Sequence, residues 1–360
     1  MLFASAAIAA DSLVYAGAYT TGASRGIYGY RLDLGNGRLK TLGLVATASN
    51  PSFLVEHPDH RFLYAASEDA TSMLSAYLID PKSGKLSPVN QVLSKGVNPC
   101  HLAIDRSGRW LAAANCGSGS VSLVPLRKDG GLGETRAVPL PAGAPADGPK
   151  QLEAHADCVV FSPDNRYLAV SDEGLDRIVV YRFDPEAGSL TPADPPFFVV
   201  SPGSGVGHLA FHPNGRFLYA VNNIRQGVTA YRFDPANGSI EELQTLAPQT
   251  SQRRTSAAEI AVNAAGTMVY ASNGAANSMA LLVVDPVRFT LSVLEFTPLI
   301  GQRPSSFAFD PTAAYMIVAN QESNNITVYT VHPHSGQLRP VGRPTPPIQS
   351  PACVVVVPVQ

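Results

Sequence analysis

The stretch FLVEHPDHRFLYAAS (residues 53–67) sets the reading of the whole chain. It is a short apolar strand, a polar Pro-Asp turn and a second apolar strand, the composition a tight hairpin needs. The unit returns as LAIDRSGRWLAAANC (102–116), VVFSPDNRYLAVSDE (159–173), LAFHPNGRFLYAVNN (209–223), IAVNAAGTMVYASNG (260–274) and FAFDPTAAYMIVANQ (307–321). A third strand follows each hairpin: MLSAYLIDP, SVSLVPL, RIVVYRFDP, GVTAYRFDP, SMALLVVDP and NITVYTVHP. Then comes a turn such as KSGK, EAGS, ANGS or HSGQ, and a more polar fourth strand that suits an exposed edge. Each unit predicts a four-stranded antiparallel meander.

The residues taken as opening each first strand are Ser52, His101, Asp157, His208, Glu259 and Ser306. Their intervals of 49, 56, 51, 51 and 47 residues are those of propeller blades. The chain ends supply a further unit. Three strands (LVYAGAYT, GIYGYRLD, LKTLGLVA) stand at the front and one (CVVVVP, after Ser350-Pro351-Ala352) at the back. One blade built from both ends closes the ring and removes two open edges. The expected fold is therefore all-β: a seven-bladed propeller in one domain over residues 11–360, with six blades as the alternative count.

The 30 Gly and 30 Pro among 360 residues fit a turn-rich β fold, and 45% apolar content is ample for a core. A net charge of −2 without a Lys/Arg-rich stripe argues against a nucleic-acid partner. No apolar run is long enough for a membrane-spanning helix. Residues 2–10 (LFASAAIAA) with Ala7-Ile8-Ala9 fit the end of an export signal, although a basic start is missing. Residues 1–10 are thus expected to be a signal remnant and the protein periplasmic or secreted, with a cytoplasmic location as the alternative. A monomer is expected. The four cysteines form no CxxC pair and no zinc-spaced cluster, so neither a metal nor a cofactor is expected. The hairpin register sets Cys100 opposite residue 115 or 116, which brings a Cys100–Cys116 bridge within reach, whereas Cys158 and Cys353 fall on non-adjacent blades.

In a propeller the inner strands begin, and the second strands end, on the face that holds the mouth of the central channel. His101, Asp157, His208 and Glu259 begin inner strands, and His155 lies two residues before Asp157. Glu173, Asn223 and Gln321 end second strands. Three imidazoles and two carboxylates gathered at one mouth predict a site for a small ligand, whereas any single Asn at a strand end more often caps backbone.

These stretches resemble the lactonase family of seven-bladed propellers, which includes propeller-type 6-phosphogluconolactonases and carboxymuconate lactonizing enzymes. The resemblance rests on YAGAYTTGASRGIYGYRLD, GVNPCHLAIDRSGRWLAAANCGSGSVSL, AHADCVVFSPDNRYLAVSDEGLDRIVVYRFD, GHLAFHPNGRFLYAVNN, AAEIAVNAAGTMVYASN and VANQESNNITVY. It implies hydrolysis of a sugar or related lactone. His155 is the implied general base, Glu259 its orienting group, and His208 or His101 the donor to the carbonyl. Asp157, Glu173, Asn223, Arg253, Arg254 and Gln321 join His101 as expected substrate contacts. The chain departs from the family pattern at Asp157 (a histidine there), Gly207 and Gly274 (arginines), Asn223 (a glutamate) and Ser305 (an arginine). Lost arginines point away from a phosphorylated lactone. They equally fit the alternative of a non-catalytic extracytoplasmic binding or scaffold propeller. A metal held by His101, His155, His208, Asp157 and Glu259 is a weaker reading.

Overall fold

A computed structural model describes residues 11–142, 153–224, 227–246 and 257–359. These form 28 strands in seven four-stranded antiparallel sheets, and no helix occurs among the described residues. The innermost strands are Pro51–Glu56, Pro99–Ile104, Ala156–Phe161, Val206–Phe211, Ala257–Val262, Pro304–Phe309 and Pro351–Pro358. The last pairs with Ser12–Ala18, so blade 1 is built from both ends of the chain, as the half-blade patterns predict. Closure buries Cys353, Val354, Val356 and Val357, each contributing about 1.5–3 kcal/mol if removed from water in full.

The apolar faces pack blade against blade. Val14 and Ala16 of blade 1 share a cluster with Ile317 and Ala319 of blade 7, and Ala112 and Ala114 of blade 3 with Val159 and Val170 of blade 4. An aromatic residue near the start of the second strand also reaches the outer turn of the next blade. Tyr15 Oη donates to Gly84 O at 3.1 Å, Tyr64 Oη to Gly130 O at 3.0 Å, Trp110 Nε1 to Pro185 O at 2.9 Å and Tyr270 Oη to Gly336 O at 3.0 Å. The recurring turn glycine follows from this contact. Gly188 has φ +59°, and a Cβ there would sit 1.8 Å from the Trp110 ring, so both conformation and space exclude a side chain.

One feature of the inner strands corrects the expected ruler. Each carries an irregularity just after its first residue, for instance between Pro51 and Phe53, Pro99 and His101, and Ala156 and Cys158. The bulge splits the mouth into two layers. Ser52, Cys100, Asp157, Gly207, Ser305 and Ala352 occupy the bulge layer, and Phe53, His101, Cys158, His208, Glu259, Ser306 and Cys353 the layer beneath. Ser52 and Asp157 therefore stand one step above His101 and His208 rather than level with them. An extra residue changes the side-chain phase without changing the blade period, so the repeat alone does not reveal it.

Candidate functional site

The last residue of each second strand is structural. Asn115 Nδ2 bonds Ser122 Oγ at 2.9 Å, Asn222 Nδ2 bonds Thr229 Oγ1 at 2.9 Å and Asn320 Nδ2 bonds Thr327 Oγ1 at 3.0 Å, all buried inside their own blades. Blade 4 places Asp172 here instead, and its carboxylate meets the buried Arg177 Nε at 2.8 Å. The other oxygen of Asp172 accepts the His155 backbone N–H at 2.8 Å, while the Glu173 N–H bonds His155 O at 2.9 Å. His155 is thereby fixed by its backbone at the mouth.

The residue that follows faces the channel. Tyr19, Glu68, Cys116, Asn223 and Gln321 line a cavity of about 300 Å³ together with Ser52, Phe53, Cys100, His155, Asp157, His208, Glu259, Ser305, Ser306 and Ala352. Two of its polar groups are tied together, Tyr19 Oη donating to Glu68 Oε2 at 2.7 Å. Burial, reinforced by Glu68, pushes the Tyr19 phenol up, so it stays a donor. Of the buried side-chain atoms without a hydrogen bond among the described residues, Ser52 Oγ, His155 Nδ1 and Asn223 Oδ1 belong to residues that line the cavity, while others, such as Asn115 Oδ1, Asn222 Oδ1 and Arg177 Nη1, lie within the blades.

His208 Nδ1 lies 3.1 Å from Glu259 Oε1. Burial alone would lower the His208 pKa, but the Glu259 carboxylate outweighs it and raises it to about 9. His208 is therefore an imidazolium at neutral pH, with Nε2 left to donate. Glu259 was expected to orient His155 and instead pairs with His208. The carboxylates beside His155 are Glu173, at 3.9 Å from Nδ1, and Asp157. The hydrogen-bonding Cys116 thiol, then these two acids, raise His155 to about 9. Burial and the nearby Asp157 raise Glu173 to about 7, and Asn223 Nδ2 reaches its Oε2 at 3.4 Å.

His101 was expected among the substrate contacts, but it does not line the cavity. It belongs to the lower layer, packed 4.0 Å from the Phe53 ring and 4.8 Å from the His208 ring, with Nε2 3.5 Å from Cys158 Sγ. Burial, and then the charge of His208, hold it well below the usual imidazole range. It is a neutral support under His208. Asp157, Asn223 and Gln321 do line the cavity, with Gln321 Nε2 also 3.3 Å from Ser350 Oγ, whereas Glu173, also expected as a substrate contact, stands behind the lining. Arg253 and Arg254 lie outside the described residues, as does Arg225. Arg303 pairs with Glu322 at 3.6 Å, and no Arg or Lys of the described residues lines the cavity.

For a metal, the expected set of His101, His155, His208, Asp157 and Glu259 is split between the two layers. Among the described residues, His155, Asp157 and Glu173 alone bring three ligand atoms within 4.8 Å of one another. Acidic groups at a mouth commonly lie so without an ion.

The sequence pattern of the family described as "Lactonase, 7-bladed beta-propeller" matches residues 13–356. The chain belongs to this family. It is similar to the 6-phosphogluconolactonase of Bacillus subtilis (strain 168), 29% identical over 329 residues that cover 90% of this chain and 92% of that protein. The 6-phosphogluconolactonase of Cronobacter sakazakii is 31% identical over 324 residues, 89% of this chain and 92% of its own. The solved structure of the Pseudomonas aeruginosa periplasmic gluconolactonase is similar with a TM-score of 0.89 at 34% identity, covering 97% of this chain and 100% of that one.

Two features of this lactonase-family site escaped the sequence reading. Tyr19 and Glu68 stand at strand ends that blade topology puts at the mouth, but the hydrogen bond that joins them across blades 1 and 2 depends on side-chain direction. Cys100 and Cys116 were read as bridge candidates, yet both are free and line the cavity. The bulge that turns Cys100 to the channel left no signal in the hairpin pattern.

Proposed function

We propose that the chain is a lactonase-type hydrolase whose substrate is an uncharged sugar lactone. The observation that carries this reading is the titratable cluster at the cavity. Two imidazoliums, His155 and His208, line it, and a carboxyl held near neutral pH, Glu173, stands behind the lining, 3.9 Å from His155 Nδ1. A general base is most effective when its pKa lies near the working pH. This reverses the role first expected of His155, which carries a proton at neutral pH and serves as the acid. Glu173 takes a proton from water, and the resulting hydroxide adds to the lactone carbonyl carbon. His208 Nε2–H donates to the developing oxyanion. The bond to the ring oxygen then breaks, and that oxygen takes the proton of His155. The net change is addition of one water and opening of the ring.

The cavity volume suits one sugar ring. Its acids (Asp157, Glu68, Glu259), with no Arg or Lys among the described lining residues, disfavour a phosphate and repel the carboxylate product. On substrate, the reading sides with the similar protein named a gluconolactonase rather than those named 6-phosphogluconolactonases. The test is proton release, above the spontaneous rate, from gluconic δ-lactone and from its 6-phosphate. The expected result is a kcat/KM at least ~10-fold higher for the uncharged lactone, about 1.4 kcal/mol in the transition state. The opposite preference would overturn the substrate class. Binding of the lactone without turnover would favour the non-catalytic reading.

We also propose export from the cytoplasm, supported by Ala7-Ile8-Ala9 and by the periplasmic name of that similar protein. Fusion of the full chain to a reporter active only outside the cytoplasm should give signal, and a silent fusion with a well-expressed chain would contradict export.

A further inference from the structure

Cys100 and Cys116 sit on one hairpin of blade 3. Cys100 is the bulge residue of the inner strand, between the pairs Pro99–Asn115 and His101–Ala114. Cys116 follows the second strand and is held by its backbone N–H to Asn98 O at 3.0 Å. The two thiols stand on facing sides of this hairpin and influence each other's titration. Both are free and half-buried, and both line the cavity. Cys158 and Cys353 are buried on other blades and lie outside the cavity lining.

The two sulfurs differ in surroundings. Cys100 Sγ faces main-chain oxygens of Ala156 at 3.5 Å and Asp157 at 3.6 Å, and Cys116 Sγ donates to Asn98 O at 3.1 Å. The Cys116 thiol has the Cys100 thiol on one side and His155 on the other. Hydrogen bonding from Cys100 and then from His155 lowers the Cys116 pKa, while the same contact, with burial, raises that of Cys100. A reachable thiolate beside a protonated partner thiol is the arrangement found in peroxide-reactive cysteines with a resolving cysteine.

We propose that Cys116 and Cys100 form a modification site, in which Cys116 is oxidised by a peroxide and Cys100 resolves it to a reversible disulfide across the cavity wall. The Cys116 thiolate attacks one peroxide oxygen, the O–O bond breaks, and the departing hydroxide takes a proton to become water. Cys116 is then a sulfenic acid. Cys100 Sγ attacks the Cys116 sulfur, the S–S bond forms, and the hydroxyl leaves as water with the Cys100 proton. Two thiols lose two electrons and one peroxide becomes two waters. The two residues share one hairpin and one cavity wall, so the second step needs no thiol from another blade. The bridge also removes the Cys116 thiol beside His155, the main influence that keeps that ring protonated. Its effect on turnover rests on the lactonase reading, whereas the thiol chemistry does not.

The test uses the reduced full chain with hydrogen peroxide, followed by alkylation under denaturing conditions, intact mass and peptide mapping. The expected result is loss of two hydrogens, two of the four thiols protected, and a reducible link between the peptides holding Cys100 and Cys116. In Cys100→Ser the same treatment should add one oxygen at Cys116 and form no link. Oxidation of Cys116 in the wild-type chain with Cys100 still alkylated would overturn the proposal. So would a link through Cys158 or Cys353, or four thiols still free. The wild-type map decides the matter even if a variant fails to fold, and it requires no lactone.

Discussion

The wall of the cavity built by blades 3 to 6 and the wall built by blades 7, 1 and 2 use the same strand positions for different chemistry. The first carries Cys100, Cys116, His155, Asp157, His208 and Glu259, with Glu173 against it. The second carries Ser305, Ser306, Gln321, Ala352, Ser52 and Phe53, with Glu68 as its carboxylate, already bonded to Tyr19. A ring of equivalent blades offers seven copies of each position, and charge has been concentrated on one side. Groups that exchange protons must lie within reach of one another and shift each other's pKa, whereas groups that recognise sugar hydroxyls need only stay neutral and ordered. The first wall therefore reads as reactive and the second as binding.

The sharpest way to break that contrast is to neutralise the reactive wall. Glu173→Gln and His155→Ala should each lower kcat by about 10² to 10⁴, the range for loss of a general base or acid, with KM changed little. Retention of full turnover in either variant removes that residue from the mechanism. His208→Gln keeps a donor but loses the charge, and kcat should fall by about 10². In Glu259→Gln the smaller effect is on the titration. Without the carboxylate that raises it, His208 loses its proton at lower pH, so the alkaline loss of activity should begin earlier than in the wild type. An unmoved alkaline limb would show that His208 is not the group that titrates there.

On the quiet wall, Ser52→Ala and Gln321→Ala should raise KM by about 5-fold and leave kcat unaltered, the effect of one hydrogen bond worth about 1 kcal/mol. A fall in kcat with KM unchanged would place these side chains in the reactive half. The smallest effect is expected from restoring arginines, Gly207→Arg with Gly274→Arg, which should improve binding of phosphorylated lactones. A Cβ at residue 207 would lie 2.7 Å from the Asn223 amide, so that side chain must move and part of the gain is lost. No gain for any anionic lactone would show that the pocket has changed beyond these positions.

The ring was legible because its signals are local and repeated. Each hairpin has its own turn residues, and the strand CVVVVP at one end of the chain is unexplained unless it completes the strands at the other. The mouth was legible only by position. His155, Asp157, His208, Glu259, Asn223 and Gln321 lie at it because blade topology puts strand ends there. Their partners were not legible, since the pairing of Glu259 with His208 depends on side-chain direction across two adjacent blades. His101 shows the same limit, since its ring packs against Phe53 and His208 and lies beneath the cavity, although it shares a layer with His208 and Glu259, which line it. Cys116 was read only as a bridge partner for Cys100 because nothing within its own hairpin announces His155, which arrives from the next blade.

The most direct test of a reactive wall opposite a binding wall is the pH dependence of kcat/KM for gluconic δ-lactone, corrected for spontaneous hydrolysis. Glu173 must be ionised to accept a proton, so the rate should rise with pH through about 7. His208 and His155 must be protonated to donate, so it should fall through about 9. The account predicts a bell between these limits, with the acid limb absent in Glu173→Gln. A profile without limbs at these values, or an acid limb that survives in Glu173→Gln, would contradict it.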